Sequence, residues 1–260
     1  MRLEAKPLVG KRIAVTRARH QAPALEAVIR ACGGEPISYP CIAIVPPADR
    51  RPLADCLRRL GEFDWLLLTS GNTARAIAES LAQLKLPLPD ATIRVAAAGP
   101  ATAAEASRRL PCEVRHVPAE YGAGQLARSL PLSGTRRVLL PQSDLADAST
   151  ADVLRARGAD VTTVAAYRTV PAEGGAPLPA MIGRGEIDAL TFTSPSAVAF
   201  FRRRCPSLDA LQLPAACIGP ATTSAAREQG FARLIMPDQP ALSDMIAALA
   251  LFAASAAPPG

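Results

Sequence analysis

Apolar and polar positions alternate in two textures along this chain. Short apolar runs at 13–16, 66–68 and 95–98 read as buried strands, and 35–38 and 114–117 as further strands. Stretches with helical spacing lie between them, clearest at 73–84 and 101–109. Pro23 suits the first turn of a helix, and Gly33 can end that helix in the left-handed conformation. The second half repeats the texture, with strands expected at 138–140, 161–164, 190–192, 216–218 and 234–236. Strand and helix in regular alternation predict α/β units built on parallel sheets.

The halves also match block by block. Lys11-Arg12-Ile13-Ala14-Val15 aligns with Arg136-Arg137-Val138-Leu139-Leu140, and Val28-Ile29-Arg30-Ala31-Cys32-Gly33 with Val153-Leu154-Arg155-Ala156-Arg157-Gly158. Asp64-Trp65-Leu66-Leu67-Leu68-Thr69-Ser70 aligns with Asp188-Ala189-Leu190-Thr191-Phe192-Thr193-Ser194. Gly99-Pro100-Ala101-Thr102 aligns with Gly219-Pro220-Ala221-Thr222. The same order in both halves points to an internal duplication and to two doubly wound domains. Two β-prone stretches bounded by proline, 39–45 and 164–170, run on past their strands. They read as linker strands that leave one domain and return to it.

Composition narrows the function classes. At 260 residues, 49% hydrophobic and 20% charged, each half is long enough to bury its own core. A net charge of +6 would suit an anionic partner. The arginine runs are scattered, however (Arg50-Arg51, Arg58-Arg59, Arg108-Arg109, Arg136-Arg137 and Arg202-Arg203-Arg204), which argues against nucleic acid. Six cysteines show no C-x-x-C spacing, and His20 and His116 are the only histidines, so neither a metal site nor a disulfide framework is indicated. The apolar segment 245–257 is too short for a membrane span and reads as a packed terminal helix. The first residues carry no stretch of signal-peptide type, so a reducing cytoplasm is the expected location.

Parallel sheets bind ligands at the carboxyl ends of their strands, where the next helices begin. Those places here are Thr69-Ser70-Gly71-Asn72, Gly99-Pro100-Ala101-Thr102, Tyr121-Gly122-Ala123-Gly124, Thr193-Ser194-Pro195-Ser196 and Gly219-Pro220-Ala221-Thr222. Their hydroxyls and free N–H groups suit anionic oxygens, although the same residues are ordinary helix caps. Strand ends facing each other across two domains would line a cleft for a polyanionic ligand. No dinucleotide fingerprint, P-loop or nucleophile elbow is present. Asp144 and Asp147, after the strand at 138–140, could pass for a carboxylate pair but read rather as the acidic start of a helix. Tyr39 and Tyr167 lie on the linker stretches, where a phenol could enter the gap between domains or simply stay half-buried.

Taken in order, Thr16-Arg17, Leu68-Thr69-Ser70, Gly99-Pro100-Ala101-Thr102-Ala103, Tyr121-Gly122-Ala123, Tyr167-Arg168-Thr169, Phe192-Thr193-Ser194-Pro195 and Ile218-Gly219-Pro220-Ala221-Thr222 resemble uroporphyrinogen-III synthases. The resemblance implies two α/β domains joined by a two-stranded antiparallel ladder. One domain would be discontinuous (1–38 with 171–260), the other would span 46–163, and the linkers would be 39–45 and 164–170. It implies dehydration and closure of hydroxymethylbilane to uroporphyrinogen III, with inversion of the last pyrrole and no metal or organic cofactor. It makes Tyr167 the catalytic candidate and Arg17, Thr69, Ser70, Thr102, Tyr121, Gly122, Ala123, Thr193, Ser194 and Thr222 the substrate-binding ones. A monomer is expected, free of nucleic acid and membrane, with a transient contact to the upstream hydroxymethylbilane synthase as its one protein partner. The alternative from another class is a non-catalytic two-domain binding protein for a small polyanion.

Overall fold

The computed structural model describes residues 6–87, 93–133 and 137–255. Arg136, which opens a repeat block, residues 1–5 and the last two residues of the expected terminal helix lie outside them. The strands are β1 (Arg12–Val15), β2 (Glu35–Ser38), β3 (Ile42–Val45), β4 (Trp65–Leu68), β5 (Arg94–Ala97) and β6 (Val114–His116). They continue as β7 (Arg137–Ser143), β8 (Asp160–Pro171), β9 (Ala189–Phe192), β10 (Pro214–Cys217) and β11 (Arg233–Ile235). The helices are α1 (Ala22–Ala31), α2 (Arg51–Arg58), α3 (Gly71–Leu84), α4 (Pro100–Arg109), α5 (Ala123–Ser129) and α6 (Ser149–Ala156). After them come α7 (Leu178–Gly183), α8 (Pro195–Arg204), α9 (Asp209–Gln212), α10 (Pro220–Glu228) and α11 (Leu242–Ser255).

The chain divides into two units, Met1–Ala43 with Val170–Gly260, and Ile44–Thr169. The continuous unit holds a sheet of order β3-β8-β7-β4-β5-β6, in which β8, β7, β4, β5 and β6 run parallel. Trp65-Leu66-Leu67-Leu68 is buried throughout because both sheet faces are covered. Leu66 and Leu68 pack with Leu53 and Leu57 of α2 and with Ile77 and Leu81 of α3. Trp65 and Leu67 point the other way, onto Leu126 of α5 and Leu154 of α6. Each such leucine contributes about 1.5–3 kcal/mol by leaving water.

The discontinuous unit is built likewise on a parallel sheet, β11-β10-β9-β1-β2. One face meets α1 and α11 through Leu25, Ile29, Met245 and Leu249. The other carries Phe192, whose ring centroid lies 5.3 Å from both Phe201 and Phe231 in edge contacts. Gly33 takes φ 87° just past α1, the left-handed turn its helix end requires. Read outward from β2 and from β8, the sheets run β2-β1-β9-β10-β11 and β8-β7-β4-β5-β6. That is the succession in which the sequence blocks pair.

The stretches at 161–164 and 164–170 form one strand, β8, which runs on to Pro171. β7 runs on to Ser143 through Pro141. Its β4 side stops pairing at Leu139, so the missing N–H of Pro141 breaks no bond there. Tyr39 is packed within its own unit, with its ring under the Arg204 guanidinium at 4.1 Å and its hydroxyl donating to the Arg204 carbonyl at 3.3 Å.

Candidate active site

In the continuous unit, the predicted turns gather at the carboxyl ends of β4, β5 and β6. Ser70 leaves β4 in extended conformation and caps α3, its Oγ accepting from Thr73 N–H at 3.2 Å. Thr69, just before it, is half-buried. Two backbone bonds tie the neighbouring turns together. Ala98 N–H donates to the Leu68 carbonyl at 3.0 Å, and Gly122 N–H donates to the Ala98 carbonyl at 2.8 Å. Gly122 holds φ 132°, a conformation side chains rarely adopt, and so lets α5 start at Ala123. Tyr121 lies along Gly99, where an added Cβ would sit 3.4 Å from the Tyr121 Cβ. Its ring remains exposed. Thr102 stands half-buried in the first turn of α4.

Tyr167 joins this group from β8. It is buried, and its Oη lies 3.2 Å from Ser70 Oγ. Ser70 Oγ also lies 3.1 Å from Thr73 Oγ1. A phenol, two hydroxyls and the N-terminal end of α3 thus meet at one point, where the helix favours negative charge on oxygen. Asp144 and Thr73 also belong to this neighbourhood, in roles the sequence pattern does not mark. Asp144 starts no helix; its Oδ1 accepts from Thr169 N–H at 3.0 Å, whereas Asp147 accepts from Ser149 N–H at 3.0 Å where α6 begins. An acidic residue directly after a strand end was the available signal for Asp144.

The discontinuous unit carries a second row. Ile218 N–H donates to the Phe192 carbonyl at 3.0 Å, as Ala98 does to Leu68 in the other unit. Ser194 caps α8 by accepting from Ala197 N–H at 3.2 Å, and Thr193 precedes it half-buried. Thr222 is buried in the first turn of α10, beside Thr223, whose hydroxyl donates to the Gly219 carbonyl at 3.0 Å. Arg17 follows β1, with its Nε buried and without a hydrogen-bond partner among the described residues. Burial also pulls its guanidinium below the usual value, the response of a charge short of compensation.

The family model described as Uroporphyrinogen-III synthase HemD matches residues 23–247. The chain belongs to the uroporphyrinogen-III synthase family. A uroporphyrinogen-III synthase of Synechococcus elongatus is 30% identical over 202 residues, 75% of each chain. A porphyrin biosynthesis protein HemD of Ruminiclostridium josui is 27% identical over 93% of this chain and 48% of its own length. This chain therefore spans about half of that longer relative. The crystal structure of a mutant uroporphyrinogen III synthase from Thermus thermophilus superposes with TM-score 0.65 at 25% identity, covering 93% of this chain and 99% of that one. Both rows of turns fall inside the stretch matched by the synthase family model, apart from Arg17 just ahead of it.

Proposed function

We propose that this chain dehydrates hydroxymethylbilane and closes it to uroporphyrinogen III, inverting the terminal pyrrole. The observation that carries the reading is the Tyr167 hydroxyl, held 3.2 Å from Ser70 Oγ at the start of α3 within a chain of this family. In the first step the carbon–oxygen bond of the terminal hydroxymethyl group breaks. Its electron pair leaves with the hydroxyl, which takes up a proton and departs as water. The electron-rich pyrrole nitrogen supplies the electrons that stabilise the resulting azafulvenium cation, so a weak acid suffices as donor. Tyr167 fills that role.

The new carbon–carbon bond then forms at the substituted position of the last ring, giving a spirocycle. Its fragmentation and reclosure invert that ring, and loss of a ring proton restores aromaticity. None of these later steps calls for a strong base. What they require is a floppy chain held in one geometry, which is a matter of orientation. Thr69, Ser70, Thr102, Tyr121, Gly122 and Ala123 in one unit, with Arg17, Thr193, Ser194 and Thr222 in the other, bind the acetate and propionate groups of the substrate. Hydroxyls, turn N–H groups and the one guanidinium suit carboxylates.

The proposal extends to a monomer working in the cytoplasm with residues 39–45 and 164–170 as linkers. It also includes a transient contact with hydroxymethylbilane synthase, which would shorten the exposure of a reactive substrate. The test is to supply hydroxymethylbilane to the purified chain and separate the oxidised products by chromatography. The III isomer is expected to dominate. The uninverted I isomer alone would refute the proposal.

A further inference from the structure

We propose that Asp144 is a positioning residue for Tyr167, fastening a bulge in β8 that turns the phenol toward Ser70. This rests on the reading of Tyr167 as the proton donor. β7 and β8 pair residue by residue as far as Gln142 with Ala165, after which Ser143 pairs with Tyr167 and Ala166 is skipped. Burial along β8 records the step. Ala165 is exposed, Ala166 and Tyr167 are both buried, and Arg168 is exposed again. A one-residue change of phase moves every later side chain to the opposite face. In an unshifted register, with Ala166 opposite Ser143, Tyr167 would continue the series of Thr163 and Ala165, both exposed, and its hydroxyl would leave Ser70.

Bulges are rare in parallel pairs, so the shifted register needs its own fastening. Asp144 supplies it at two points. Its N–H donates to the Tyr167 carbonyl at 3.0 Å, and its Oδ1 accepts from Thr169 N–H at 3.0 Å. The clamp thus spans the residue that carries the phenol. Oδ2 also accepts from Arg168 Nε at 3.3 Å. That ion pair is open to solvent and contributes little, whereas Thr169 is buried and its N–H would be left unpaired. A neutral acceptor of the same shape should therefore serve, so Asp144→Asn tests geometry apart from charge.

The experiment measures kcat, KM and melting temperature with hydroxymethylbilane for Asp144→Ala, Asp144→Asn, Tyr167→Phe and the Ala/Phe double variant. Asp144→Ala is expected to lower kcat about tenfold with KM near wild type, less than the ~10²-fold that a misplacement of about 1 Å can cost, because the backbone bond to the Tyr167 carbonyl remains. Asp144→Asn should keep most of kcat. In the Tyr167→Phe background, Asp144→Ala should cause no further loss. Should Asp144→Ala fail to fold, Asp144→Glu, which keeps the carboxylate but shifts it by one methylene, takes its place in the same cycle. A loss of equal factor in both backgrounds would overturn the proposal and leave the reading of Tyr167 standing. Wild-type kcat for Tyr167→Phe would remove that reading, and the proposal with it.

Discussion

Tyr167 Oη lies 3.2 Å from Ser70 Oγ, although the two residues are 97 positions apart in the chain. The contact joins the central strand β4, through the cap of α3, to the shifted end of β8. Ser70 therefore has two tasks, a helix cap and a hydrogen-bond partner for the phenol.

Those tasks separate by substitution. Ser70→Ala removes the acceptor of Thr73 N–H and should destabilise the protein by about 1 kcal/mol, as lost caps generally do. It should also lower turnover, because Tyr167 loses its partner. Ser194→Ala removes the matching cap of α8 and should show a stability loss of similar size. Urea unfolding and steady-state turnover on both variants check this. Stability and turnover both unchanged in Ser70→Ala would contradict the geometry.

A carboxyl behind the site sets a pH dependence. Burial works to raise Glu105, but the guanidiniums of Arg109, Arg108 and Arg75 outweigh it and hold the carboxyl below its ordinary range. A depressed folded value means that the unfolded chain binds the proton more readily. The stabilisation is therefore present above the unfolded value, roughly 4.3, and is lost as pH falls through the folded one. Glu105→Gln should lower the urea midpoint at pH 7. The gap to wild type should narrow as pH falls below about 4.5. A gap constant from pH 7 to 3 would show that the charge contributes nothing.

Much of this architecture is legible in the sequence because buried parallel strands are continuous apolar runs. Trp65-Leu66-Leu67-Leu68 could lie nowhere but between two helix layers, and Gly33 marks the end of α1 through its positive φ. The turn residues were equally visible, since caps and ligand sites draw on the same hydroxyls and glycines. The bulge was not. Ala165 and Ala166 are both small and apolar, so no periodicity reveals which faces inward. Only the pairing of Ser143 with Tyr167 does so. The role of Asp144 depends on that register and was hidden with it. The length of β7 beyond 140 was hidden as well, because a proline ordinarily closes a central strand, and at Pro141 the neighbour on one side has already stopped pairing.

Metal removal should leave the reaction intact. The expectation rests on the sequence, whose cysteines lack C-x-x-C spacing and whose two histidines stand apart. Protein treated with a strong chelator and desalted should turn over hydroxymethylbilane at its untreated rate. A loss restored by one particular divalent ion would show that the chemistry needs a group this account omits.

The central claim is that a phenol assists departure of the hydroxyl while the turns hold the substrate in shape. Turnover and product isomer measured together on Tyr167→Phe test it most directly. Expected are an unchanged melting temperature, turnover lower by ~10²-fold, the low end for general acid catalysis, and a product that is still mainly the III isomer. Wild-type turnover in a fully folded Tyr167→Phe protein would contradict it.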